Sequence, residues 1–285
     1  MSTTPLELGA AEASRLLLQT SAEGGSAAVG TVVGASDGAP QHRGARMALV
    51  RHPEHGASTH GSLGDPSADA AAVERLAAAL DDRRARDGIR ALHVGDRQIE
   101  FYVEVRRPIR ELVVVGAGHV AQPMAHMGAM LGYRVTVLDD RPDFATRERF
   151  PEADRLVRAD FSDPFADVSL NERSFLLLVT RGHKYDYECL VRALRAHPLP
   201  AYIGMIGSRR RVRATYVQLL DEGIDRALLA RIHAPVGLDI GAETPEEIAV
   251  SVAAELVMLD RGGTGVPLRE VERVADRFFK DQDNI

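Results

Sequence analysis

The apolar positions of this chain change their rhythm near residue 107. Before it, strand-like stretches and one long helical stretch are separated by polar loops. After it, short unbroken apolar runs alternate with helix-spaced segments. In the first part, Leu6, Ala10, Leu16, Leu17 and Leu18 predict a short amphipathic helix over 5–20. Gly24-Gly25-Ser26 hinges it to an apolar strand over 27–33. A Gly, Ser, Asp and Pro-rich loop over 34–44 leads to a second strand over 45–50, paired with the first. Residues 51–65 read as a polar loop, and Asp65-Pro66 opens a helix to about Arg86 with Val73, Leu76 and Leu80 on one face. Strands over 89–94 and 98–105 follow, joined by Gly95-Asp96. In the second of them Ile99, Phe101 and Val103 face one way while Glu100, Tyr102 and Glu104 face the other.

The stretch from Glu111 to Asp140 organises the rest. Leu112 to Val115 is a run too short for a helix and β-branched enough for a buried parallel strand. Gly116-Ala117-Gly118 interrupts it, and Val120, Met124, Met127 and Leu131 then recur at helical spacing up to Gly132, which suits a left-handed cap. A second strand over 134–138 completes a βαβ unit. Gly116, Gly118 and Ala121 occupy the places of G-x-G-x-x-[G/A]. They serve the tight turn, the close approach of backbone to a pyrophosphate, and the packing of helix on strand. The amides of 118–121 with the helix dipole make an anion site, and Asp139 stands where an acid would hold a ribose 2′-OH. A Rossmann-type dinucleotide half follows from the two strands, the helix, the glycines and the acid together. Strands over 154–157, 174–180 and 202–206 alternate with helices over 184–196 and 208–220. Thr244, Pro245 and Glu247 cap a helix running to Leu259, with Ile248, Val252, Leu256 and Leu259 toward the core. The tail 267–285 reads as a polar helix that frays. The fold class is therefore α/β: a Rossmann-like parallel sheet domain over 108–285 behind a smaller α+β domain over 1–107.

Ligands of open parallel sheets bind outside the carboxyl ends of the strands, which selects four loops. One is Gly116 to Val120 with His119, which either caps the helix or meets a ligand. The next is Thr180-Arg181-Gly182-His183 with Asp186 one turn on, a cluster of polar groups at one strand end. The third is the glycine-serine turn Gly204 to Arg209. Arg209, Arg210, Arg211 and Arg213 load a helix start with cations against its dipole, so Arg209 is assigned to a bound anion and the others to a solvated face. The fourth is Gly237 to Glu243, where Asp239 and Glu243 stay open between function and structure.

Length and composition narrow the classes. A chain of 285 residues with 45% hydrophobic and 27% charged residues is an ordinary globular composition. A net charge of −6 gives no electrostatic footprint for nucleic acid. The single cysteine, Cys189, rules out an internal disulfide framework and a Cys-based metal cage, and reads as a small buried hydrophobe. His52, His55 and His60 lie within nine residues, but as solvated loop histidines rather than zinc ligands, so no metal is expected. The start of the chain lacks a basic n-region and a long apolar core, and no run nears the ~18 apolar residues of a membrane span. A cytoplasmic protein is expected.

Five blocks carry a family resemblance: VVVGAGHVAQPMA, VTVLDDRPDFA, VTRGHKYDYECL, YIGMIGSRRRV and APVGLDIGAETPEEIAVSVAAEL. Over residues 110–262 they resemble the carboxyl-terminal half of the XdhC/CoxI family, maturation factors of xanthine dehydrogenase and related molybdenum hydroxylases. The resemblance implies that Gly116, Gly118, His119, Asp139, Asp140, Thr180, Arg181, His183, Asp186, Gly207, Ser208, Arg209, Gly237, Asp239, Gly241 and Glu243 line a functional mouth; Val120, Ala121 and Arg141 are expected to bind the cofactor with them. It further implies a molybdenum (pterin) cofactor chaperone, an apo molybdenum hydroxylase and a cysteine desulfurase as partners, and a homodimer. The amino-terminal part is similar more weakly. Where the family carries Gly-Gly-Cys-x-Glu, this chain has GSLGDPSADAA, shortened and without the cysteine. That departure strengthens an alternative, an NAD(P)-dependent oxidoreductase on a small carbonyl or imine, with His183 and Asp186 as acid–base pair. Arg141 beside Asp139 and Asp140 leaves NAD against NADP open.

Overall fold

The computed structural model describes residues 8–35, 43–82, 84–274 and 278. The first sheet contains β1 (Ser26–Ala35), β2 (Arg46–His52), β3 (Gly56–Gly61), β4 (Gly88–Val94) and β5 (Arg97–Arg106), in the order β3-β2-β1-β5-β4 with antiparallel neighbours. Central β1 is apolar on both faces because both are covered. Ala27 and Val29 pack with Leu8, Ala13 and Leu17 beneath α1 (Ala10–Ala22), while Ala28 and Val32 pack with Leu76 and Ala72 of α2 (Pro66–Asp81). Asp65 caps α2 by accepting from the Ser67 amide at 2.9 Å. The segment expected to be a polar loop over 51–65 is instead mostly hairpin, since Gly56 at φ +75° turns β2 back into β3. Most of the loop expected over 34–44 and the end of the tail lie outside the described residues.

The second sheet is parallel throughout. It holds β6 (Glu111–Val115), β7 (Arg134–Asp139), β8 (Arg155–Arg158), β9 (Ser174–Leu178), β10 (Tyr202–Met205) and β11 (Ile232–His233). Its order β11-β10-β9-β6-β7-β8 is the Rossmann order, three-two-one-four-five-six when read from β8. The register Leu112↔Val135 and Leu112↔Phe175 sets β6 at the switch point. Helices α3 (Ala121–Met130) and α7 (Pro245–Arg261) cover one face, with Met124, Ala125, Val252 and Leu256 on Leu112, Val114 and Val137. On the other face, α4 (His183–Arg195) and α5 (Arg209–Asp221) set Cys189, Leu190, Val212 and Leu219 against Val113, Leu176 and Leu178. Two short elements escape the sequence pattern, α6 (Arg226–Leu229) and β11, while α8 (Leu268–Glu272) is the described part of the helix expected in the tail. The first two are too brief to show a period. The linker is fixed to the first unit, where Arg107 donates to the carbonyls of Ala79 and Asp82 at 3.1 and 2.7 Å, closing the end of α2.

Gly30 carries the tightest constraint on the first sheet. A Cβ there would lie 1.8 Å from the Phe101 ring, which is fully buried against the bare backbone. Gly30→Val should therefore destabilise the protein by about 3 kcal/mol, the upper part of the range for overpacking. Chemical denaturation followed by far-ultraviolet dichroism checks this, with Gly34→Ala, where a Cβ would meet only the movable end of Glu100, as the milder reference.

Candidate functional site

The glycine turn is built so that the chain itself fills one side. Gly116 sits at φ +103°, and a Cβ there would be 2.7 Å from the Val179 carbonyl, so only glycine fits. Gly118 is the reverse case: a Cβ would meet nothing within 4 Å, which leaves its approach open. Among the described residues the amides of Gly118, His119 and Val120 donate to no protein acceptor, while Ala121 donates to the Gly118 carbonyl at 3.2 Å. Three amides rather than four are thus available to an anion at this turn. The tight helix–strand packing falls also to Gly128, where a Cβ would be 2.5 Å from Leu112.

Asp139 is placed for a different task from ribose binding. Its side chain is 3% exposed. It accepts from the Ala117 amide at 2.7 Å, from the Arg141 amide at 2.9 Å and from Arg141 Nε and Nη2 at 2.8 Å each. Burial pushes its acidity the wrong way, yet Arg141 and the two amides outweigh it and hold the carboxyl far below the usual carboxylate range. Arg141 in turn lies over the Phe144 ring, 3.4 Å from its centroid. No face of Asp139 is left for a ribose hydroxyl. Asp140, next in the chain, is half-buried and receives both guanidinium ends of Arg181, at 2.8 and 2.7 Å. Arg181 also donates to the Tyr185 hydroxyl at 2.6 Å. Because Asp140 follows β7 and Arg181 follows β9, this fork spans the carboxyl end of β6 between them.

The expected single mouth is divided. A cavity of about 660 Å³ opens at the carboxyl ends of β7 and β8, walled by Asp140, Arg158, Asp160, Phe161, Lys184 and Tyr185. Phe161 meets Tyr185 edge-on at 4.5 Å and forms its aromatic side. A second, open cavity of about 650 Å³ lies along α5, with His183, Arg209, Arg210 and Arg213. Arg209 and His183 are both exposed there, away from Asp140. Asp239, Gly241 and Glu243 are exposed and line neither cavity; the Gly237 amide is committed to Glu255 at 2.8 Å. Gly207 and Ser208 serve the start of α5, Ser208 by accepting from the Arg211 amide at 3.3 Å.

Two buried networks lie beyond what the sequence pattern shows. Arg211, assigned to the solvated face, turns inward: its Nε donates to Asp186 at 2.7 Å and its Nη2 to the Thr180 hydroxyl and carbonyl at 3.0 and 3.1 Å. Asp186 is fully buried and also receives the Thr180 hydroxyl at 2.6 Å. Burial raises its carboxyl's pKa against these partners. It is thus a locked ion pair behind the loop rather than an acid–base partner of His183. The helical spacing of Arg211 with buried Thr215 and Leu219 is the available signal. The second network centres on Glu255, which holds His233 Nδ1 at 2.9 Å, the Tyr202 hydroxyl at 2.8 Å and the Gly237 amide. It pins the loop after β11 beneath α7, and nothing in a helical apolar pattern marks a buried glutamate.

In the first sheet, the segment that departs from the family pattern is closed on itself. Asp69 accepts from the Leu63 amide at 2.6 Å and from the Ser62 hydroxyl at 2.7 Å, and Arg97 pairs with Asp65 at 2.7 Å.

Two family models match the chain: the XdhC Rossmann domain over residues 112–256 and the XdhC and CoxI family over residues 20–95. The chain belongs to the XdhC and CoxI family. Among its curated relatives is the uncharacterized protein YqeB of Escherichia coli strain K12, 32% identical over 250 residues, covering 84% of this chain and 44% of that one. Another is a probable xanthine dehydrogenase subunit of Bacillus subtilis strain 168, 34% identical over 166 residues, covering 57% of this chain and 46% of the relative. The chain spans less than half the length of these curated relatives. A crystal structure of a xanthine dehydrogenase from Bacillus halodurans superposes with a TM-score of 0.60 at 22% identity, over 91% of this chain and 68% of that one. That likeness shows the shared fold. Among the described residues no helix is long and apolar enough to cross a membrane.

The two ion pairs make separable predictions. Arg211→Ala leaves the Asp186 charge buried without its partner and should cost about 3–5 kcal/mol, whereas Arg209→Ala should stay within about 0.5 kcal/mol. Urea denaturation at neutral pH compares them. For Asp139, a folded value held below the unfolded one means a stabilisation complete above about pH 5 and lost as pH falls through the unfolded value near 4 and onward. Asp139→Asn should cost about 3 kcal/mol at pH 7 and progressively less toward pH 3, because the native carboxylate is then losing its own advantage. Unfolding curves of both proteins across that range provide the check.

Proposed function

We propose that this chain binds a molybdenum pterin cofactor at the carboxyl edge of its parallel sheet and passes it to an apo molybdenum hydroxylase of the xanthine dehydrogenase kind. The observation that carries this reading is the charged cavity beyond β7 and β8, in a chain of this family. A pterin presents an amino–keto edge rich in N–H donors, which suits the Asp160 carboxylate, and a phosphate and oxo groups, which suit Lys184 and Arg158. Among the described residues neither Lys184 nor Arg158 has an acidic partner. Tyr185 and Phe161 offer an aromatic wall for the ring system. The three unengaged amides at Gly118 to Val120 lie at the end of neighbouring β6. In this reading Arg181 holds the Asp140 wall rather than the cofactor, and a cysteine desulfurase would supply sulfur where the client needs it. The chain's own segment at 61–65 lacks the family cysteine, so it is assigned to carriage of the cofactor and not to sulfur chemistry. Two copies working as a homodimer belong to the same proposal.

A second reading, an NAD(P)-dependent oxidoreductase, draws on the open approach to Gly118. It is weakened by the commitment of Asp139 to Ala117 and Arg141 and of Asp186 to Thr180 and Arg211.

Mixing the protein with isolated molybdenum cofactor, followed by gel filtration and assay of molybdenum and pterin in the protein peak, tests the proposal. Wild type should retain both. Lys184→Ala should weaken retention roughly ten- to hundredfold, as expected for a lost charged hydrogen bond, and Arg209→Ala should leave it unchanged. Absence of retention by wild type, or NAD(P)H turnover on a small carbonyl or imine that disappears in His183→Ala, would transfer the assignment to the second reading.

A further inference from the structure

We propose that the tip of the β2–β3 hairpin is a transition-metal site, in which His52, Glu54 and His55 hold a zinc-class divalent cation. The three residues sit in a turn anchored at both ends by the pairing of His52 with Gly56. Pro53 stiffens the turn by fixing its own φ, and Gly56 closes it at φ +75°. One ligand atom from each of His52, Glu54 and His55 lies within 4.8 Å of the other two. The two imidazoles stack with centroids 4.5 Å apart and planes 14° from parallel. The Glu54 amide donates to His52 Nδ1 at 3.2 Å, so that nitrogen is unprotonated, and a metal bound there takes the place of this amide bond.

This is a donor set, and it is nearly assembled. Tetrahedral zinc takes imidazole nitrogen and carboxylate oxygen at about 2.0–2.2 Å, which places neighbouring ligand atoms about 3.3 Å apart. Closing from 4.8 Å needs rotation of side chains, of which Glu54 and His55 are exposed. A backbone already turned by the hairpin does not have to move. Two imidazoles and one carboxylate suit zinc, nickel or copper; magnesium and calcium demand more oxygen ligands. Three protein ligands leave a further position for water. His60, third of the histidines in the sequence, does not belong to the set. It stands opposite Ala48 along β3, with Nε2 3.1 Å from the Ser58 hydroxyl.

Calorimetric titration of zinc chloride into the full chain, free of any affinity tag, tests the site. One equivalent should bind. Loss of a group that merely supports a metal ligand already costs roughly tenfold or more in affinity, so His52→Ala and His55→Ala should each exceed that. Glu54→Gln should weaken binding less, and His60→Ala and a magnesium chloride titration serve as the unchanged and the silent controls. Dichroism spectra identical to wild type establish that the variants fold. Failure of wild type to bind zinc saturably, or zinc binding that survives both His52→Ala and His55→Ala, would overturn the assignment.

Discussion

The carboxylate of Asp139 fixes the carboxyl edge of the parallel sheet. It stands at the end of β7 and receives the Ala117 amide from the turn after β6, so two adjacent strand ends are joined through one buried anion. A buried charge is tolerated only with enough donors around it, and here Arg141 supplies three of them, its own amide included. The turn therefore holds its shape without a bound ligand, and the open side of Gly118 is a standing feature of the fold. A motif that elsewhere reserves its acid for a ribose has here turned that acid toward its own backbone.

What remains for a ligand follows from that commitment. Charge at the edge moves one residue on, to Asp140, whose fork with Arg181 reaches over the end of β6. The fork leaves the cavity beyond β7 and β8 on one side and the arginine-lined groove of α5 on the other. Thr180, Asp186 and Arg211 lock the start of α4 to that of α5 behind it, so the two regions are held apart by ion pairs, in one of which the carboxylate is wholly buried. Lys184 and Tyr185, just inside α4, are presented to the first cavity by this lock.

The sequence is informative where periodicity and capping chemistry act locally. The βαβ unit, the Thr244 capping box and the apolar strand β1 all express rules that span a few residues, and each is readable. Side chains whose partners are distant in sequence are not. Arg209 looks the better anion ligand by its place in the first helical turn, yet it is Arg211 that shares a face with Thr215 and reaches inward. Asp139 occupies the expected position, but its role depends on an amide 22 residues earlier. The histidines of 52–60 read as one loop because the strand that follows Gly56 is polar and shows no apolar alternation; the pairing of β2 with β3 separates His60 and gathers Glu54 instead.

Amide hydrogen exchange with and without isolated molybdenum cofactor tests most directly whether the cofactor sits at the edge of β6, β7 and β8 and nowhere else on the sheet. Slowed exchange at 118–120, 158–162 and 184–188 is predicted, with unchanged exchange at 237–243. Protection confined to 237–243 or to 209–217, or no protection anywhere on the carboxyl edge, would contradict it.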